Sequence, residues 1–138
     1  MKDQKKSIVE KLDRGSGWSS IRFFQPEEFD SPDAPGSGHS HMNLQFVRKL
    51  DRVREIAGFG FVITSGYRTF AHNDSVGGVG DSSHTKGVAA DIAIGTNRQR
   101  FQALHAAILV GFHRIGIGAN FLHLDDDKSK PAEVAWLA

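Results

Sequence analysis

The sequence predicts an α+β fold, a small and mostly antiparallel sheet flanked by helices. Three observations carry this. Residues 43–57 and 96–111 have helix-capping signals around apolar residues at helical spacing. Residues 88–94 and 121–125 alternate in polarity with period two. Helices and strands also follow one another without the strand–helix–strand rhythm of a parallel sheet.

In chain order, Ser7 to Asp13 reads as a short helix with Ile8, Val9 and Leu12 on one side. Residues 1–20 read as an N-terminal extension of a single domain spanning 1–138. Phe23, Phe24 and Phe29 bracket Pro26-Glu27-Glu28, an extended piece followed by a turn. Asp30 to His41 holds two prolines, two glycines and three serines and reads as a loop. Asn43 caps a helix to about Ala57, with Leu44, Val47, Leu50, Val53 and Ile56 as its apolar stripe and Gly58 as its stop. Phe59 to Thr64 is rich in β-branched and aromatic residues and reads as a strand. Ser65-Gly66-Tyr67-Arg68 leads out of the sheet, and Thr69 to Gly80 is a glycine-rich connection. Val88 to Ile94 is a strand with Val88, Ala90 and Ile92 on one face and Asp91 on the other, between the small residues Ala89 and Ala93. Thr96 and Gln99 fit a capping box. The helix behind them turns Phe101, Leu104, Ile108 and Leu109 to the core and stops near Gly111. Ile115 and Ile117 mark one short strand, Phe121 to Asp125 another. Trp18 and Trp136 read as core or edge anchors, Trp136 packing down the C-terminus.

Composition narrows the function. A chain of 138 residues is one domain with room for a core. A net charge of +1 gives no field suited to nucleic acid, and the absence of cysteine excludes disulfides, thiolate metal sites and a cysteine nucleophile. No apolar run approaches a membrane span, and the charged start lacks the apolar segment of a signal peptide.

The chemistry concentrates in Ser82-Ser83-His84-Thr85-Lys86-Gly87-Val88-Ala89-Ala90-Asp91. His84 and Asp91 lie either side of a glycine turn, and a carboxylate among small apolar neighbours is costly unless something pairs with it. A cation would do so, and His84 is near enough in sequence to share it. In the last strand Leu122 and Leu124 point one way, His123 and Asp125 the other, about 7 Å apart by the strand repeat. Three protein ligands with an open position are the mark of a catalytic rather than a structural zinc site. Spacing alone leaves a loop histidine and a capping aspartate as the commoner reading.

Taken together, these motifs resemble the zinc D-alanyl-D-alanine carboxypeptidases and murein endopeptidases, the LAS metallopeptidases. Ser82, His84, Gly87, Ala89 and Asp91 match the family's Ser-x-His-x-x-Gly-x-Ala-x-Asp. His123 and Asp125 match its His-x-Asp, after a typical Gly116-Ile117-Gly118 approach. Ser65-Gly66-Tyr67-Arg68 and the Asn73…Gly77-Gly78 segment resemble upstream motifs. The matches run in family order from about Phe24 to Trp136.

The resemblance implies a D,D-peptidase-like fold with its site in a cleft on the sheet. It implies Zn2+ held by His84, Asp91 and His123, a zinc-held water as nucleophile, Arg68 on the substrate and Ser82 in support. The implied substrates are peptidoglycan stem peptides and their cross-bridges, cut as a carboxypeptidase or an endopeptidase. One departure stands out. Many members carry an acidic general base three residues before the third ligand, where this chain has Asn120. Asp125 is the nearest acidic alternative, either as base or as the group orienting His123, with the orienting role favoured. The alternative function is a non-catalytic peptidoglycan-binding module, for which Asn120 speaks; a further one is a structural domain stabilised by zinc. Asp126 and Asp127 read as solvated charges, Tyr67 as packing, and His39, His41, His72, His105 and His113 as surface or boundary residues. The expected protein is a monomer acting on the cell wall, either a phage or prophage lysis protein or an exported protein trimmed of its leader.

Overall fold

The computed structural model describes residues 17–138; the helix expected at Ser7 to Asp13 lies outside them. Among the described residues four α-helices, α1 (Ser37–His41), α2 (Leu44–Ala57), α3 (Phe70–Ser75) and α4 (Asn97–Val110), accompany five strands, β1 (Ile63–Ser65), β2 (Ala89–Ala93), β3 (Arg114–Ile117), β4 (Phe121–Asp125) and β5 (Val134–Leu137). The strands form one sheet in the order β1-β2-β4-β3-β5. All neighbours are antiparallel except β3 and β5, which run parallel. This is the expected α+β architecture.

Period-two alternation gives the sheet two unlike faces. Ala90, Ile92, Leu122, Leu124 and Ile115 are buried together with Phe46, Val47, Leu50 and Val53 of α2. Asp91, His123 and Gly116, aligned across β2, β4 and β3, occupy the other face. Helix α2 has the expected ends, the Asn43 side chain accepting from the Phe46 N–H and Gly58 ending it at φ 81°; of the expected stripe Val47, Leu50 and Val53 are buried, while Ile56 is exposed. Trp18, within the stretch read as an extension, lies against Phe29 with ring centroids 5.8 Å apart.

Several local expectations are corrected. The Asp30 to His41 loop contains α1, whose start is tied by Asp30: its two carboxylate oxygens accept from the Gly36 and Gly38 N–H groups. Gly38 is a spacing requirement, since a Cβ there would stand 2.2 Å from the Pro26 carbonyl oxygen. Pro26–Phe29 is a turn of 3-10 helix. The strand expected from Phe59 is reduced to Ile63–Ser65. The Thr69 connection holds α3, with the Thr69 hydroxyl accepting from His72 N–H.

The largest correction concerns α4. Phe101, Ile108 and Leu109 are exposed, and the buried side is Ala103, Ala106 and Ala107. Helix α4 packs on α2, and alanines allow that approach where larger side chains would hold the helices apart. Ala107→Leu is therefore expected to destabilise the fold by about 1–3 kcal/mol. Phe101→Ser should change stability by no more than about 0.5 kcal/mol. Denaturant unfolding of the two variants checks both.

Candidate metal centre

β2 and β4 pair in a register that sets Asp91 opposite His123. Their side chains meet directly, His123 Nδ1 lying 2.8 Å from Asp91 Oδ1. His84 comes from a 3-10 turn, Ser83–Lys86, that ends at Gly87 with φ 72°. Gly87 is needed twice: its backbone is left-handed, and a Cβ would stand 2.0 Å from the His41 carbonyl oxygen. The turn delivers His84 Nε2 to 3.4 Å from the same Asp91 oxygen. One ligand atom from each of the three residues lies within 4.8 Å of the other two.

Hydrogen bonding fixes both imidazoles. His84 Nδ1 is 2.8 Å from the Gly66 carbonyl oxygen, which can only accept, so Nδ1 carries the proton and Nε2 turns its lone pair to Asp91. His123 Nε2 is 2.7 Å from Asp125 Oδ2 and donates to it. With that proton on Nε2, Nδ1 of a neutral His123 faces Asp91 as a second acceptor. Two acceptors at 2.8 Å repel unless a proton lies between them or a cation binds both. Two histidines and a carboxylate are a zinc ligand set, and the residues fit that ion.

A proton can take the same place, and the electrostatics reflect it. Burial opposes the charged form of His123, but hydrogen bonds to Asp125 and Asp91 outweigh it and hold the imidazole above its usual range. Burial likewise opposes the Asp91 anion, and contacts from His123 and His84 reverse this, holding the carboxyl well below the usual range. Asp125 is also held low, its burial outweighed by His123, the Asp127 N–H and Arg114.

The remaining predicted residues fall around this trio. Arg68 reaches Ser65 Oγ through Nε and Asn73 Oδ1 through Nη1, and its backbone N–H donates to the His84 carbonyl. Asn73 is buried and itself donates to the Val79 carbonyl, so it braces the arginine. Ser82 caps the metal turn, its hydroxyl accepting from the His84 N–H. Asp125 is 1 % exposed, with one oxygen on His123 and the other on Arg114 and the Asp127 N–H. Asn120 is exposed in the β3–β4 turn. Tyr67 stacks on His41 with ring centroids 4.6 Å apart. His39, His105 and His113 are exposed, and His72 is half-buried.

Asp127 is not a solvated charge. It is buried and accepts from Ser83 Oγ at 2.7 Å, Lys86 Nζ at 2.8 Å and both the backbone and hydroxyl of Ser129. It thereby ties the turn carrying His84 to the segment after β4. Asp126 likewise pairs with Lys49 at 2.8 Å. Nothing in the run Asp125-Asp126-Asp127 distinguishes these roles; the burial that separates them is tertiary.

An α+β domain with two histidines and an aspartate whose ligand atoms lie within 4.8 Å of one another has the ligand set of a hydrolytic metal enzyme. A family model described as Peptidase M15 matches residues 24–125, the chain belongs to that family, and it is on that ground a metallopeptidase. The match spans the trio, Arg68 and Asp125 and stops before β5. No individual curated protein matches the chain.

Two pH-dependent outcomes follow. Zinc taken up by the trio would displace a proton from between His123 and Asp91, so zinc affinity should rise about tenfold per pH unit. That rise should extend above the ordinary imidazole value of 6.5. Chelator-competition titrations between about pH 6 and 8.5 check this, and a flat affinity would refute it. Asp127 has a depressed carboxyl, because Lys86, Ser129 and Ser83 together outweigh its burial. Its contribution to stability is present above the unfolded value of 3.8 and is lost as pH falls through the lower folded value. Asp127→Asn should therefore cost about 1–3 kcal/mol at neutral pH. The gap from wild type should narrow below about pH 4 in urea unfolding.

Proposed function

We propose that the protein is a zinc-dependent peptidase that hydrolyses peptide bonds in peptidoglycan stem peptides, as a carboxypeptidase or an endopeptidase acting at the cell wall, and that it works as a monomer. The observation that carries this is the convergence of His84 Nε2, His123 Nδ1 and Asp91 Oδ1, with both imidazoles held in the metal-binding tautomer from behind. When bound, zinc supplies Lewis acidity and lowers the pKa of water to about 7.

The chain's own residues divide the remaining work. Arg68, braced by Ser65 and Asn73, has guanidinium N–H groups left for a substrate carboxylate or a developing oxyanion. Asp125 serves as the orienting group for His123 rather than as the base. Its two oxygens are already engaged, it is almost fully buried, and it meets the ring nitrogen that does not face Asp91. Asn120 offers no carboxylate at the position where many LAS members carry their base. That favours the second reading, a domain that keeps the zinc site and binds peptidoglycan without turnover.

Incubation of the zinc-loaded protein with purified sacculi separates the two. A peptidase releases new amino termini, and mass spectrometry of the muropeptides names the bond. A binding module co-sediments without them. His84→Ala should lose both zinc uptake and hydrolysis, and retained hydrolysis in that variant would end the proposal.

A further inference from the structure

Behind His123 lies a group of side chains that the trio does not account for. Arg114, on β3, places Nε 2.7 Å from Asp125 Oδ1. Its Nη1 donates to the Pro131 carbonyl oxygen, and its guanidinium carbon sits 5.0 Å from the centroid of a Trp136 ring. Trp136, on β5, lies 5.5 Å from the His123 ring. Gly116 makes room for it: a Cβ there would stand 3.0 Å from the indole and 3.1 Å from His123 Cβ. Arg114 is thus held on three sides, and its side chain is 13 % exposed.

A carboxylate that rotates about its last torsion offers no fixed acceptor. Asp125 is stopped from rotating because Oδ1 is taken by Arg114 and by the Asp127 N–H. That leaves Oδ2 for His123 Nε2. We propose that Arg114, clamped by Trp136 and the Pro131 carbonyl, is a positioning residue for the metal centre: by fixing Asp125 it fixes the His123 ring with Nδ1 toward Asp91. An arginine suits the task because its planar fork satisfies two acceptors while its face rests on an indole. Pro131 and Trp136 lie beyond the region matched by the family model, so two of the three holds on Arg114 come from this chain's C-terminal segment. This inference rests on the reading that the trio binds zinc.

The test is a double-mutant cycle on zinc affinity, measured by chelator competition at one fixed pH in wild type, Arg114→Met, Asp125→Ala and the pair. Arg114→Met is expected to weaken zinc binding by about 10–100-fold. In the Asp125→Ala background the same change should add little, because the group through which Arg114 acts is already gone. The visible spectrum of the cobalt-substituted protein should shift in Arg114→Met and not shift further in the pair. Arg114→Lys keeps the charge and stem, guards against a Met variant that does not fold, and should show the same non-additivity with a smaller loss. Equal zinc affinity in wild type and both Arg114 variants, or losses that add in the pair, overturns the inference and leaves the metal reading standing. A wild-type protein that takes up no zinc overturns both.

Discussion

The antiparallel register between β2 and β4 is the constraint on which the centre depends. It is set on the core face, where Ala90 pairs with Leu124 and Ile92 with Leu122, all buried. A slip of one residue would turn these side chains out and carry Asp91 away from His123. The apolar face thus fixes the position of polar groups it never touches. Two of the three candidate ligands, Asp91 and His123, stand on strands hydrogen-bonded on both sides, which is where a site held to a fraction of an ångström belongs.

His84 is positioned differently. It stands on a short turn, and several weak ties replace the sheet. Asp127 holds Ser83 and Lys86, the Gly66 carbonyl holds the ring, and the Asn43 N–H takes the Gly87 carbonyl. Asn43 also caps α2, so the same residue starts the main core helix and ends the metal turn. Core and centre are coupled there by backbone rather than by side-chain contact. Loosening the Asp127 ties should therefore displace His84 before it degrades the sheet.

What the sequence disclosed follows from which forces are local. The cap at Asn43, the stop at Gly58 and the alternation in β2 and β4 are written within a few residues, and the structure has them. The trio was legible because β-alternation assigns Asp91 and His123 to a polar face and the ordered motifs resemble a known family. The face of α4 was not legible. Its large apolar residues suggested one buried side, but contact with α2 selected the alanines, a preference that exists only once both helices are in place. Helices α1 and α3 are too short for a periodic signal, and each is started by one side chain, Asp30 or Thr69, that reads equally well as a turn residue. The parallel β5 depends on β3 partners 20 residues away, and the burial of Asp127 on partners 41 and 44 residues away. No window of sequence contains either pairing.

The charge balance of the centre bears on what it would bind. Two carboxylates, Asp91 and Asp125, flank His123; the Arg114 guanidinium pairs with Asp125, and Arg68 holds the Ser65 hydroxyl beside His84, so these four charged groups come near to cancelling. Adding a divalent cation leaves an excess of about two positive charges on a face where low exposure weakens screening. On the proposed reading, such an excess favours an anionic ligand, and a peptide with a free carboxylate is one.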